Sequence, residues 1–90
     1  MKYLVTYDIS EDSRRDKVIK LLNEYGKRVQ FSCFEIEIFP QNLELLAFKL
    51  ERTIDKETDK IFIFPISRNS IPFIKKLGKV EDEGGTSIVL

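Results

Sequence analysis

An aspartate at the end of the first hydrophobic run is the residue that most strongly indicates chemistry. The stretch YLVTYDIS, residues 3–10, is rich in apolar and β-branched residues and stops at Asp8. A lone carboxylate is a poor Mg²⁺ site, because this ion usually takes one or two carboxylates together with waters and substrate phosphates. A twofold axis near this strand would bring two Asp8 side chains together, and a divalent cation would relieve their repulsion. Such a cation could polarise a phosphodiester or activate a water.

A structural role for Asp8 is the alternative. An aspartate that follows a strand can accept backbone N–H bonds in the next turn, which here covers residues 9–12. Spacing alone slightly favours this turn over the metal. Glu11 and Asp12 are interpreted as turn or capping residues rather than as metal ligands.

A local excess of positive charge is the second candidate feature. The chain balances 15 Lys and Arg against 15 Asp and Glu, so its total charge gives no argument for nucleic-acid binding. Residues 14–28, however, hold six basic residues against Asp16 and Glu24, whereas residues 35–59 hold seven acids against three bases. The six basic residues are Arg14, Arg15, Lys17, Lys20, Lys27 and Arg28. This distribution fits a phosphate-binding side, and it fits a solvated helix face equally well.

Gln30, Ser32 and Phe34 lie on one face of an extended segment that follows this basic stretch. Their amide, hydroxyl and ring could contact the backbone and bases of a nucleic acid. A polar sheet face or a dimer contact explains the same pattern, and for Phe34 packing is the preferred interpretation.

Composition excludes several kinds of site. The chain has no histidine, which rules out His-based triads and His-ligated zinc. Cys33 is the single cysteine, so no internal disulfide forms, and we interpret it as a small core residue. No apolar run approaches the ~20 residues of a membrane span. The N-terminus shows no secretory signal pattern, so we expect a cytoplasmic protein.

Hydrophobic periodicity predicts the elements that position these residues. They are a strand at 2–8, a helix at about 12–25, two short strands within 28–39, a helix at about 41–55 and a strand at 60–66. The break within 28–39, a tight turn or a bulge near Ser32–Cys33, is predicted because the alternation changes phase there. The run KIFIFPI at 60–66 is continuously apolar, which predicts a strand buried on both faces, and residues 69–78 are predicted to be irregular.

Local signals place the ends of the first helix. Ser10, Asp12 and Ser13 are its candidate N-caps, and Ser13 with Asp16 resembles a capping box. Gly26 is the predicted C-terminal stop.

The order βαββαβ predicts an α+β fold of the ferredoxin-like type, an antiparallel sheet with both helices on one face. Residues 1–80 form the predicted domain and residues 81–90 a tail. The other face of the sheet must be covered, and a second subunit is the simplest cover. The apolar strand at 87–90, beyond a hinge at Gly84–Gly85, suits addition to the partner's sheet in a homodimer. Folding back onto its own sheet is the alternative.

Four segments together resemble a known family. They are YDIS, RRDKVIKLLNEYG, RVQFSCFE and KIFIFPI. In order and spacing they are similar to the small CRISPR-associated adaptation proteins, which partner the spacer integrase and are often described as endoribonucleases. The resemblance covers about residues 1–80, and the sequence departs from the pattern within 67–90.

The resemblance implies a homodimer in which C-terminal strands complete the partner's sheet. It implies that Asp8 is the metal-site aspartate at the twofold axis, with Tyr7 as its neighbour in the motif. In family members that resemble nucleases this aspartate would be catalytic with Mg²⁺, or with Mn²⁺ as the alternative ion, whereas in scaffold members it need not be. Gln30, Ser32 and Phe34 match the Gln-x-Ser-x-Phe motif of the family. The expected nucleic-acid contacts are Arg15, Lys17 and Arg28 at matching basic positions, together with Arg14.

The leading hypothesis is a CRISPR-associated protein of spacer acquisition in antiviral defence. It would be a homodimer that binds duplex DNA or single-stranded RNA, partners the integrase and slowly hydrolyses phosphodiester bonds with Mg²⁺. A non-catalytic scaffold in the integrase complex is the second hypothesis, and it predicts DNA binding that survives the loss of Asp8. A third is a ferredoxin-like module that binds a small molecule at a dimer interface. An RNA-recognition module would show a glycine-aromatic strand motif that this sequence lacks.

Overall fold

A computed structural model describes residues 1–79 of the chain. The predicted hinge at Gly84–Gly85 and the predicted strand at 87–90 lie outside the described residues.

The elements follow the predicted order βαββαβ. They are β1 (Lys2–Asp8), α1 (Asp12–Asn23), β2 (Gly26–Gln30), β3 (Cys33–Glu37), α2 (Pro40–Thr53) and β4 (Lys60–Ile66), followed by a short 3₁₀ helix (Ile71–Phe73). The strands form one antiparallel sheet in the order β2-β3-β1-β4. The predicted α+β fold is therefore confirmed, and β1 lies at the centre of the sheet.

Strand alternation divides β1 between two faces of the sheet. Tyr3, Val5 and Tyr7 are buried in the core, as predicted, whereas Leu4 and Thr6 point to the opposite face and are half-buried. The core is completed from both helices and from β3 by Val18, Leu22, Phe34, Ile36, Leu46 and Leu50. Full burial of each such side chain stabilises the fold by about 1.5–3 kcal/mol. The face that carries Leu4 and Thr6 has neither α1 nor α2 on it and is called the helix-free face. Ile74 and Leu77, which follow the 3₁₀ helix, line a cavity of about 540 Å³ there together with Leu4 and Glu35.

The start of α1 differs from the prediction. Its N-cap is Glu11, whose Oε1 accepts the backbone N–H of Arg14 at 3.3 Å and the Ser13 hydroxyl at 2.8 Å. The candidate caps Ser10, Asp12 and Ser13 and the Ser13–Asp16 capping box were therefore wrong. The Glu11 side chain is long enough to reach the backbone N–H groups of the first helical turn, although shorter side chains are usual at the N-cap position.

Gly26 does not end α1 in the predicted way. The C-cap is Glu24 in a right-handed conformation, and Gly26 is already the first residue of β2. A glycine is required there for another reason: a Cβ atom would overlap the backbone of Glu35 and Ile36 on β3. Close approach of two strands, rather than a left-handed turn, explains this residue.

The predicted pair of short strands within 28–39 is confirmed, and the pairing of β2 with β3 is irregular between Arg28 and Gln30. The tight turn between them is formed by Phe31 and Ser32.

The prediction that the last strand, β4, is buried on both faces was wrong for the described residues. β4 is an edge strand, and Phe62 and Phe64 on its outer side are 56% and 47% exposed. Their rings meet edge to face at 6.0 Å. Cys33 is also half-buried on the face of the sheet that lacks α1 and α2, opposite Thr6, rather than in the core. Burial and then the charge of Glu35 raise the pKa of its thiol.

Candidate metal and nucleic-acid site

Asp8 is the last residue of β1, where it is exposed and lies opposite Lys60 of β4. Alternation places its side chain on the same side of the sheet as Leu4 and Thr6, away from the helices. No hydrogen bond or ion pair within residues 1–79 engages its carboxylate. The turn alternative for Asp8 was therefore wrong, since the backbone N–H of Ser10 is donated to Asp59 instead, at 3.1 Å.

The carboxylate of Asp8 is the right chemical type of ligand for a hard cation, and within one copy it supplies only part of a coordination shell. Both carboxylate oxygens are available, and Mg²⁺ needs only one or two carboxylates when waters and phosphates complete its shell. No group of three or more acidic, histidine or cysteine side chains that could hold a metal exists among the described residues. Residues 1–79 of one copy thus offer a single carboxylate at this position, and no closed metal cage forms among them.

Asp59 is a second carboxylate at this end of the sheet, and the sequence did not single it out. Its side chain is 0% exposed. The carboxylate accepts the Ser10 hydroxyl at 3.2 Å and the Thr58 hydroxyl at 3.1 Å, and the backbone N–H of Asp55 at 2.9 Å. It fixes the loop that follows Asp8 to the start of β4. Pairing β1 with β4 in antiparallel register places Asp59 beside residues 9–14, and this is the signal that could have found it.

The guanidinium of Arg14 belongs to this buried group. Its Nε donates to Oδ2 of Asp59 at 2.8 Å, and its Nη2 donates to the Ser10 hydroxyl at 3.2 Å. The bond from Arg14, followed by the backbone N–H groups of Asp55 and Ser10, holds the pKa of Asp59 well below its usual range. The bond to Asp59 raises the pKa of Arg14 in turn. The structure therefore places this expected phosphate contact in an internal ion pair.

The other expected basic contacts are placed differently. Arg15 donates to Oδ1 of Asp12 at 2.7 Å and to the carbonyl of Ile9 at 2.9 Å, which keeps its guanidinium beside the loop after Asp8. Lys17 on α1 and Arg28 on β2 are exposed. Lys17 and Arg28 are accessible to a phosphate, whereas Arg14 is bonded to Asp59 and Arg15 is bonded to Asp12 and Ile9.

The expected motif residues divide between core and turn. Phe34 is fully buried, which confirms packing as its role, and its ring lies 6.2 Å from the ring of Tyr7. Tyr7 donates its hydroxyl to the carbonyl of Phe31 at 3.1 Å and its backbone N–H to the carbonyl of Ser32 at 3.1 Å. Gln30 is exposed, and Ser32 is half-buried. These contacts attach the turn between β2 and β3 to the residue that precedes Asp8.

Comparison with known proteins identifies the family of this chain. The family model described as CRISPR associated protein Cas2 matches residues 1–72. The chain belongs to the Cas2 family. The resemblance seen in its sequence is thereby confirmed, and the four segments that carried it all lie within the matched Cas2 region.

One relative and two solved structures illustrate the similarity. The CRISPR-associated endoribonuclease Cas2 4 of Rhodospirillum rubrum is 42% identical over 64 residues, which is 71% of this chain and 52% of that protein. The alignment thus spans about half the length of that relative. The crystal structure of Streptococcus pyogenes Cas2 has a TM-score of 0.78 at 34% identity and covers 87% of this chain and 100% of that one. A chain of a partial Cas6-RT-Cas1–Cas2 complex has a TM-score of 0.69 at 26% identity, over 84% of this Cas2-family chain and 89% of its own length.

Among residues 1–79 of this Cas2-family chain, every helix is too short or too polar to span a membrane.

Proposed function

We propose that this chain is a homodimeric CRISPR adaptation protein of spacer acquisition that binds nucleic acid, partners the integrase and cleaves phosphodiester bonds with a divalent cation at Asp8. The relative from Rhodospirillum rubrum is an endoribonuclease by name, which supports the activity. The solved complex that contains Cas1 and Cas2 supports an integrase partner. The proposal places the protein in the reducing cytoplasm, in keeping with its single unpaired cysteine.

The observation that carries the catalytic part is the unengaged carboxylate of Asp8 at the exposed end of a central strand. A carboxylate there has both oxygens available for a cation, and a second copy across a twofold axis doubles the number of ligands. The chemistry that a bound Mg²⁺ or Mn²⁺ supplies is polarisation of a phosphodiester and activation of water.

Other residues of the chain would bind and orient the substrate. Arg15, Lys17 and Arg28 hold the phosphates, because their charges are at or near the surface. The described residues include no histidine to act as a general base, so we expect slow catalysis.

The homodimer part of the proposal is supported by the exposed β4 side of the helix-free face. Phe62 and Phe64 expose their rings there beside the half-buried Leu4. A second copy of the chain, laid against this face, removes the apolar surface from water. We propose that residues 81–90 complete the partner's sheet in this dimer.

A non-catalytic scaffold is the second candidate function. The chain of known structure that assembles with Cas1 favours it, because such a role needs nucleic-acid and protein contacts but no cleavage. In that case Asp8 does not take part in chemistry.

The deciding experiment compares wild type with Asp8→Asn on labelled single-stranded RNA and on duplex DNA, with Mg²⁺, with Mn²⁺ or with EDTA. We expect metal-dependent cleavage that Asp8→Asn reduces by roughly a hundredfold or more, because the variant loses a charged metal ligand. Asp16→Asn is the matched control, since Asp16 is an exposed aspartate on α1 with the same charge.

Binding of both nucleic acids and the sedimentation of the dimer are followed in the same samples. Cleavage that is absent in wild type, or equal in Asp8→Asn, removes the catalytic proposal. Retained binding would then favour the scaffold, whereas absence of any nucleic-acid binding would remove both functions.

A further inference from the structure

Phe31 is an exposed aromatic residue at the same end of the sheet as Asp8. It lies in the turn between β2 and β3 and is 81% exposed. None of the ring contacts among residues 1–79 involves it. Tight turns are dominated by small polar residues and glycine, so a bare phenyl ring at this position has no local structural reason.

The backbone beneath this ring is held in place. The carbonyl of Phe31 accepts the hydroxyl of Tyr7, and the carbonyl of Ser32 accepts the backbone N–H of the same residue, both at 3.1 Å. Tyr7 is buried, and it directly precedes Asp8 in β1. The exposed ring of Phe31 therefore lies on a turn whose position relative to Asp8 is fixed by these hydrogen bonds.

An exposed basic side chain lies near the turn. Arg28 on β2 precedes Phe31 by three residues and is exposed, whereas Lys27 lies farther from the turn, opposite Glu35. Basic side chains that follow a backbone, combined with an exposed ring, are the recurrent means by which proteins bind single-stranded nucleic acid. A base inside a closed duplex is stacked on both faces, so the ring can engage only an unpaired base or a terminal one.

We propose that Phe31 stacks on an unpaired nucleobase next to the Asp8 end of the sheet and thereby favours single-stranded substrate over closed duplex. The inference rests on the proposed function, for which it defines the class of substrate. It also assigns the aromatic contact to a different residue of the motif, because Phe34 is fully buried.

The first test compares Phe31→Ala and Phe31→Tyr with wild type in binding labelled single-stranded RNA and a blunt duplex over a range of salt concentrations. We expect Phe31→Ala to weaken single-strand binding roughly tenfold, and Phe31→Tyr to retain it, because stacking needs only a ring. The salt dependence stays the same, since no charge is lost. Duplex binding is unchanged. Phe73→Ala is the matched control, because Phe73 is 80% exposed but follows β4 at its other end.

A spectroscopic test uses the absence of tryptophan from the chain. In Phe31→Trp the new indole is the only one, and we expect single-stranded RNA, but not the blunt duplex, to quench its fluorescence.

Three outcomes would overturn the inference. Equal single-strand affinity of wild type and Phe31→Ala removes it while leaving the proposed function intact. Dissociation of the dimer by Phe31→Ala, with binding restored at higher protein concentration, would make the ring an interface residue instead. Failure of wild type to bind any nucleic acid removes the proposed function together with the inference.

Discussion

Asp8 and Asp59 are carboxylates at the same end of the sheet, and their surroundings are opposite. Asp8 ends β1 and is exposed, and its oxygens have no partner within residues 1–79. Asp59 precedes β4 with a fully buried side chain, and both of its oxygens accept several donors. A saturated carboxylate of this kind stabilises the fold and has nothing left to offer a cation. The comparison therefore assigns a structural role to Asp59 and leaves the carboxylate of Asp8 available for the proposed chemistry.

The largest expected difference between the two aspartates is in stability. Asp59→Asn removes the charge that Arg14 and the loop donors share, and it leaves buried donors without acceptors. We expect its Tm to fall by about 10 °C or more. We expect the Tm of Asp8→Asn to stay close to that of wild type, because its carboxylate makes no contact to lose. Thermal unfolding followed by circular dichroism checks both values, and equal Tm values for the two variants would contradict the comparison.

Acid unfolding should separate the same pair. The pKa of Asp59 is lower in the folded protein than in the unfolded chain, mainly because of the bond from Arg14. Its contribution to stability is therefore present above the unfolded value, about 4, and is lost as the pH falls below it. We expect the free energy of unfolding of Asp59→Asn to fall less steeply with decreasing pH than that of wild type. We expect Asp8→Asn to show the same pH dependence as wild type. Urea midpoints between pH 2.5 and 7 measure it, and a flattened curve in Asp8→Asn alone would reverse the assignment.

The neighbouring basic residues extend the comparison to binding. Arg14 is paired with Asp59, whereas Lys17 is exposed on the same helix. We expect Lys17→Gln to lower the slope of log affinity against log salt by about 1, and Arg14→Gln to lower Tm without changing that slope. Titration of a duplex at several salt concentrations measures the slopes. A smaller slope in Arg14→Gln would show that its ion pair opens on binding.

The smallest expected effect is stabilisation by metal. A cation that binds the folded protein raises its Tm according to mass action, and we expect a rise of about 2 °C with Mn²⁺. The rise should disappear with EDTA and in Asp8→Asn, and it should persist in Asp16→Asn. Persistence of the rise in Asp8→Asn would mean that the ion binds elsewhere.

The sequence predicted the elements well because their signals are local. Alternation in residues 2–8 and helical spacing in both helices depend on near neighbours, and the phase change near Ser32 showed the hairpin. The exposure of Phe62 and Phe64 was missed, because a continuous apolar run has the same sequence pattern whether the outer side of the strand is buried or exposed in the chain.

The candidate site was predictable only in part, for a reason of distance along the chain. Asp8 was recognisable from its place at a strand end. The partners of Asp59 lie 45 residues away in Arg14 and 49 residues away in Ser10, so no local pattern connects them. The same separation explains why Arg14 was grouped with the basic residues around it rather than with its buried counter-ion.

The central place of β1 also determines when the fold can form. Among the described strands, β1 is made before β3 and β4, both of which pair with it; residue 2 pairs with residue 66 and residue 8 with residue 60. Pairing over such separations is slow, because the intervening chain must lose conformational entropy in closing a loop before the hydrogen bonds between the strands can form. The Asp59 contacts that hold the loop after Asp8 form only once residue 59 has been made: a nascent chain that stops before it carries Asp8 but lacks the bonds from Ser10 and Arg14.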